Sequence, residues 1–393
     1  MILLIFMLQI HQIYTRKIPF TTVVSFGDSN TDTGNVYKLT NYSWPPVPPY
    51  FRGRLLNGPT WVERLGISKL IDYAHMGSTI DDKVVQGWGI INLQPVPGVR
   101  QQIEIHLNDI RRSTINVHQT IYIIWAGLND YYFNQTISPS TIATSLLNVI
   151  KDLVTMGAMH ILVFNQPPLQ SYPFIHIMDQ NLNFTAFTIQ LNANLSAGVA
   201  TIRHDNPKIS LNIFDLYSLI SKIIANGSTY LFKNTVDPCW NITINGTVLH
   251  RCVDPTSYVF IDGYHFTNEI PFNHEFFIRL AWSFPLLKKL RIFNLKPQLL
   301  PSSNEIYSLI KYSHLSSLNI LDVHVDYIEQ FLNDTKTCLP CLNELTVDYN
   351  QLQIATENFT KDRTRFNCKN VEKLNIKQKN IELEDFYTYF PLL

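Results

Sequence analysis

The sequence predicts an α/β protein: a parallel sheet covered by helices on both faces, followed by a smaller repeated segment. Three observations carry this. Apolar runs of strand length recur at residues 22–26, 70–74, 120–126, 161–165 and 209–214. Segments long enough for helices lie between them, as at 142–156 and 187–202. Strands alternating with helices call for parallel pairing. Beyond residue 283 the pattern changes to a recurring Leu-x-x-Leu-x-Ile motif.

The first strand stops abruptly at Gly27, and polar, turn-prone residues follow through Asn35 with Ser29 at the corner. This reads as strand, tight turn and helix start. Backbone N–H groups at a helix N-terminus would then face Ser29. Such donors hold an oxyanion, which acyl transfer by a serine requires. The plainer reading is a capped turn, because Asp-Ser-Asn suits an N-cap.

The chain has 393 residues, 46% hydrophobic and 16% charged, with 31 basic and 31 acidic side chains. A single core rarely grows beyond about 250–300 residues, so a large domain over 20–283 and a smaller one over 284–393 are expected. No basic tract is present, which argues against nucleic acid as a partner. Residues 1–10 are apolar but too short to span a bilayer. They resemble the core of a secretory signal peptide, so 1–19 is expected to be one, although a basic start and a small-residue cleavage site are missing. A buried first strand is the alternative. Asn-x-Ser/Thr sequons at Asn41, Asn134, Asn183, Asn194, Asn226, Asn241 and Asn245, with two more at Asn333 and Asn358, tilt the expectation towards secretion and glycosylation. Of five cysteines, Cys239 and Cys252 bracket a short polar loop and suit a disulfide in an oxidising compartment. Cys338-x-x-Cys341 is half of a zinc pattern without its second pair, and Cys368 stands apart.

The loop at 42–51, rich in proline and aromatics, cannot be helix or central strand. It lines a cleft or makes a rigid surface connection. After the second strand comes Asp72-Tyr73-Ala74-His75-Met76-Gly77-Ser78-Thr79, where a glycine lets the backbone approach a ligand. After the third comes Gly127-Leu128-Asn129-Asp130-Tyr131. The Asn129 amide is a neutral donor suited to an oxyanion. Asp130 is expected to cap the next helix or brace the loop, and Tyr131, Tyr132 and Phe133 to pack in the core rather than line a pocket. Finally, Asp262 stands three residues before His265. A carboxylate there can fix the imidazole tautomer, and the imidazole can take a proton from Ser29.

Taken together, these blocks resemble the GDSL, or SGNH, esterase and lipase family. The resemblance rests on Phe26-Gly27-Asp28-Ser29-Asn30-Thr31-Asp32-Thr33-Gly34-Asn35, on the blocks around Gly77 and Asn129, on Val96-Pro97-Gly98-Val99-Arg100-Gln101-Gln102-Ile103, and on Asp262-x-x-His265. It covers about 20–283. It implies a three-layer α/β/α fold with a five-stranded, flavodoxin-like parallel sheet. It also implies Ser29, Asp262 and His265 as catalytic residues, with Ser29, Gly77 and Asn129 as the oxyanion hole. No metal or organic cofactor is implied. The activity implied is that of a secreted serine esterase or lipase acting on lipid or acetylated carbohydrate esters. An acyltransferase using the same acyl-enzyme, or an inactive hydrolase scaffold that binds a partner through its tail, are the alternatives. Asp72 replaces the family's usual Asn, Met76 a common Gly, and Ile261 a frequent Trp.

In the tail, Leu290, Leu318, Leu345 and Leu374 recur at steps of 28, 27 and 29 residues. Period and motif resemble the leucine-rich repeats of F-box-type proteins, which implies a short α/β solenoid with a surface for a protein partner. An amphipathic helical extension is the alternative.

Overall fold

The computed structural model describes residues 20–65, 67, 69–89, 94–110, 115–177, 183–230, 232–243, 247–267, 277, 281, 287–294, 309–376 and 384–393. The expected signal peptide at 1–19 lies outside these residues, as does Asn245. The chain divides into two compact units, Met1–Ile270 and Pro271–Leu393.

The first unit is built on β1 (Thr22–Gly27), β2 (Lys69–Asp72), β3 (Thr120–Trp125), β4 (His160–Phe164) and β5 (Ser210–Phe214). They form one parallel five-stranded sheet in the order β2-β1-β3-β4-β5. All five coincide with the apolar runs in the sequence to within one or two residues. Every residue of β3, and of β1 after Thr22, is buried. Strands covered on both faces show continuous apolar runs rather than alternation. The connecting helices are α1 (Asn35–Leu39), α2 (Val99–Ile110), α3 (Leu128–Phe133), α4 (Pro139–Met156), α5 (Phe184–Asp205) and α6 (Leu216–Ala225). α4 starts three residues before the apolar periodicity because the Ser138 side chain accepts the Thr141 N–H and proline is tolerated in the first turn. It buries Ile142, Leu146, Val149, Ile150 and Leu153 along one stripe. α5 likewise starts early, capped by Asn183 through the Ala186 N–H.

The strand order reverses beside β1. Its successor β2 lies on one side and β3 on the other, with Ser25 opposite Asp72 and Gly27 opposite Trp125. The carboxyl ends of β1, β2 and β3 therefore share one edge. Ligands bind parallel sheets at such an edge, at the switch point.

In the second unit β6 (Lys289–Asn294), β7 (Ser317–Val323), β8 (Glu344–Val347) and β9 (Lys373–Ile376) form a parallel sheet in sequential order. Leu290, Leu318, Leu345 and Leu374 stand in one register across it. The inner pair, Leu318 and Leu345, is fully buried. The buried Asn367 side chain donates to the carbonyls of Phe331, Leu332 and Thr337 and accepts the Leu339 N–H at 2.9 Å. One amide thus satisfies four main-chain groups that would otherwise be buried without partners. The sequence assigned residues up to 283 to the first domain, because helical spacing continues past His265. The first unit instead closes at Ile270. Phe277 packs edge-on against Phe331 at 4.8 Å, and its carbonyl accepts the Tyr312 hydroxyl at 3.0 Å, so its apolar surface is buried in the second unit. The rest of the helix expected at 273–283, apart from Ala281, lies outside the described residues.

Gly27 closes β1 against β3 so tightly that a Cβ there would collide with the Trp125 carbonyl oxygen. Gly27→Ala is expected to cost about 1–3 kcal/mol of stability, the range for overpacking a filled interior. Urea denaturation of the two chains measures it.

Candidate active site

Ser29 follows β1 in a tight turn. The Asp28 carbonyl accepts the N–H groups of Thr31 and Asp32 at 3.0 and 2.9 Å. The turn expected from the sequence is present, but the helix after it begins only at Asn35, six residues past Ser29, so its N-terminal N–H groups do not follow the serine directly. The cause is Asp32, whose Oδ1 accepts the Gly34 and Asn35 N–H groups and so delays the helix start. Ser29 is presented by a turn, not by a helix N-terminus.

The turn is held from below by Gln102 on α2. Its Oε1 accepts the Gly27 N–H at 2.9 Å, and its Nε2 donates to the Gly27 carbonyl at 2.9 Å and to Ser78 Oγ at 3.0 Å. The motif containing Gln102 was legible as the start of a helix, but this bracing role was not.

His265 Nε2 lies 2.8 Å from Ser29 Oγ, and His265 Nδ1 lies 2.8 and 2.9 Å from the two Asp262 oxygens. Ser29, Asp262 and His265 are 9%, 4% and 5% exposed. Asp262 Oδ1 also accepts the Tyr264 and His265 N–H groups, both at 2.8 Å, which turns the segment back on itself. Burial pushes Asp262 up, but His265, the Tyr50 hydroxyl and the Tyr264 N–H outweigh it and hold the carboxyl below its ordinary range. The carboxylate is therefore charged beside the imidazole. Tyr50 Oη donates to Asp262 Oδ2 at 2.7 Å. No local motif marks Tyr50, because its partner is 212 residues away.

The loop after β2 carries Gly77 at φ 78°, where a Cβ would collide with the Trp88 carbonyl oxygen. Only glycine suits both conditions. Among the described residues, neither the Ser29 nor the Gly77 N–H has an acceptor. Asn129, at the start of α3, donates through Nδ2 to the Ser78 carbonyl at 2.9 Å and keeps its second amide hydrogen. Ser29, Asp262 and His265 are thus joined by hydrogen bonds, and Asn129 is joined to the loop of Gly77.

Buried carboxylates hold that loop. Asp72 accepts the Ala74 N–H, Asp32 the Met76 N–H at 2.8 Å, and Asp130 the Ile80 N–H through both oxygens. Asp72 also accepts from Ser25 Oγ and from the Thr33 N–H and hydroxyl. Every one of these partners is a donor, so an acceptor-only carboxylate is well suited here. Asp130 braces the loop, one of the two roles expected of it.

Tyr131 is buried against Phe184 and Phe187, while Tyr132 packs with Phe174 and Tyr264. Cys239 and Cys252 are disulfide-bonded, with Cα atoms 4.9 Å apart. Cys338, Cys341 and Cys368 are free, and no metal-binding cluster of His, Cys, Asp or Glu occurs among the described residues. Asn41, Asn183, Asn226 and Asn241 are exposed, and Asn134 and Asn194 half-buried. Asn333 is buried and accepts from Thr335.

A serine, an imidazole and a buried carboxylate stand in hydrogen-bonded series at the switch point of a parallel sheet, on an α/β scaffold. The chain belongs to the GDSL-like lipase/acylhydrolase family, whose model matches residues 23–270. A phosphatidylcholine-sterol acyltransferase of Aeromonas hydrophila is 24% identical over 232 residues, covering 56% of this chain and 66% of its own. The thermolabile hemolysin of Vibrio parahaemolyticus is 22% identical over 232 residues, covering 58% and 53%. An acetylesterase of Hypocrea jecorina is 24% identical over 298 residues, covering 64% and 85%. The chain thus spans between half and two thirds of the length of the first two relatives.

Burial pushes Asp28 up to about 6 and Asp130 up to about 8. Burial together with Asp32 pushes Asp72 up to about 7. Each holds its proton more tightly in the fold than in the unfolded chain. The stability they contribute is therefore full below the ordinary value of 3.8 and lost as pH rises through the folded value. Asp130→Asn keeps an acceptor for the Ile80 N–H but has no proton to lose. Its stability should fall less steeply than that of the wild type between pH 4 and 8, by at most about 1.4 kcal/mol per pH unit for one proton. Thermal melts across that range test this.

Proposed function

We propose that this protein is a serine ester hydrolase that forms an acyl-enzyme on Ser29. The observation that carries this is the 2.8 Å contact between His265 Nε2 and Ser29 Oγ, with Asp262 behind the ring. His265 takes the Ser29 proton as Oγ bonds to the ester carbonyl carbon. The resulting oxyanion is held by the N–H groups of Ser29 and Gly77 and by Asn129 Nδ2. His265 then passes its proton to the departing alcohol. Water, deprotonated by the same imidazole, then adds to the acyl carbon; the carbon–Oγ bond breaks, the acid leaves, and His265 returns the proton to Ser29 Oγ.

Lipid esters and acetylated carbohydrates are the substrate classes we propose; the names of the Aeromonas acyltransferase and the Hypocrea acetylesterase support lipid and acetyl esters. Export through the secretory route is supported by the disulfide and by exposed sequons at Asn41, Asn183, Asn226 and Asn241. For the second unit we propose a leucine-rich-repeat array that offers a surface to a protein partner. The in-register leucines at steps of 27–29 residues support it.

An active-site phosphonate should label the wild type, and Ser29→Ala should lose both label and turnover of aryl esters from acetate to palmitate. Labelling that persists without Ser29 would overturn the assignment. Asn129→Ala should lower kcat by about 10²–10³ with KM little changed, since this donor matters once charge has developed on the oxygen. Steady-state kinetics on the preferred ester separates the two constants.

A further inference from the structure

We propose that Tyr50 is a positioning residue for the Ser29 reaction: its hydroxyl locks the Asp262 carboxylate in the one orientation that serves His265. The proposal rests on the serine-hydrolase reading above. The two carboxylate oxygens are held in different ways. Oδ1 is fixed from its own segment by the N–H groups of Tyr264 and His265. Apart from the imidazole it serves, Oδ2 receives the Tyr50 hydroxyl alone among the described residues. Without that donor, Oδ2 of a buried anion keeps only its contact with the imidazole, and the carboxylate can swing about Oδ1.

Tyr50 is itself immobilised. It is 5% exposed, and its ring meets Trp240 edge-on at 5.6 Å. Both belong to a second small core with Val36, Trp44, Leu55, Met76 and Ile261. That core reaches the acid from its other side. The Cys239 and Trp240 N–H groups donate to the carbonyls of Phe260 and Ile261, the residues just before Asp262. Burial, and then the Asp262 charge, push the Tyr50 phenol well above its ordinary range, so it remains a donor throughout the working pH range. Among the described residues, the other titratable groups facing the Asp262–His265 pair are Asp28, Tyr172 and Tyr264. The Tyr264 side chain packs with Tyr132, and neither Tyr172 nor Asp28 donates to Asp262.

The test compares wild type, Tyr50→Phe and a chain with 3-fluorotyrosine placed at position 50 alone, on a soluble aryl acetate. Tyr50→Phe keeps the ring and loses only the hydroxyl. Its kcat should fall about tenfold with KM within about twofold. The acid limb of its kcat/KM profile should move to higher pH, because the carboxylate has lost a donor to its charged form. Fluorotyrosine is a stronger donor and should move the same limb the other way. A merely structural tyrosine would lower stability but leave the limb in place. If Tyr50→Phe does not fold, the fluorinated chain decides alone. An unmoved acid limb in every folded variant overturns the role of Tyr50 while phosphonate labelling of Ser29 stands. A wild type that takes no phosphonate overturns both readings.

Discussion

The Gln102 side chain is the brace on which the site depends. Its amide pairs with both backbone groups of Gly27, two residues before the nucleophile, and reaches Ser78, the residue after Gly77. Ser78 in turn offers its carbonyl to Asn129. A buried amide is suited to this, because it carries a donor and an acceptor side by side and no charge to neutralise. The ends of β1, β2 and β3 are thereby linked through hydrogen bonds that need no water. A carboxylate in place of Gln102 could accept from Gly27 but could not donate to Ser78.

The acidic residues follow a second rule. Asp32, Asp72 and Asp130 each accept main-chain N–H groups of the loop that carries Gly77. Burial raises the cost of charge on each of them, and Asp32 adds repulsion on Asp72, so all three hold their protons more tightly than a free carboxyl does. The loop needs acceptors wherever its strained turn at Gly77 takes N–H groups out of regular pairing. Carboxylates supply several acceptors per side chain, which an amide or hydroxyl cannot match. Asp262 has the opposite balance: its donors and His265 outweigh burial, so it keeps its charge. Two kinds of buried acid thus sit within one site, distinguished by what faces them.

Much of this was legible in the sequence because it is local. Apolar runs marked all five strands of the first sheet, since strands buried on both faces need no alternation. Ser29, Gly77, Asn129, Asp262 and His265 stood out because each follows a strand or lies within a short motif. What stayed hidden depends on long-range contact. Tyr50 sits in a proline-rich loop with nothing to mark it, and its partner becomes a neighbour only after folding. The turn at Ser29 looked like a helix start because the spacing is the same. Only the N–H groups that Asp32 accepts, from Gly34 and Asn35, reveal that the helix waits until Asn35. The end of the first unit was misplaced because helical periodicity says nothing about which core receives the apolar face. Phe277 settles that by packing on Phe331.

The separation of 236 residues between Ser29 and His265 has a consequence for how the protein is made. Synthesis delivers the nucleophile among the first residues of the unit and the base among the last. Domains fold as units as the chain emerges. A nascent chain that already contains Ser29 therefore has no His265 imidazole beside it. The Ser29 hydroxyl lacks that partner until almost the whole first unit has left the ribosome. The hydrogen-bonded series of Ser29, His265 and Asp262 arrives together with the tertiary structure that encloses it.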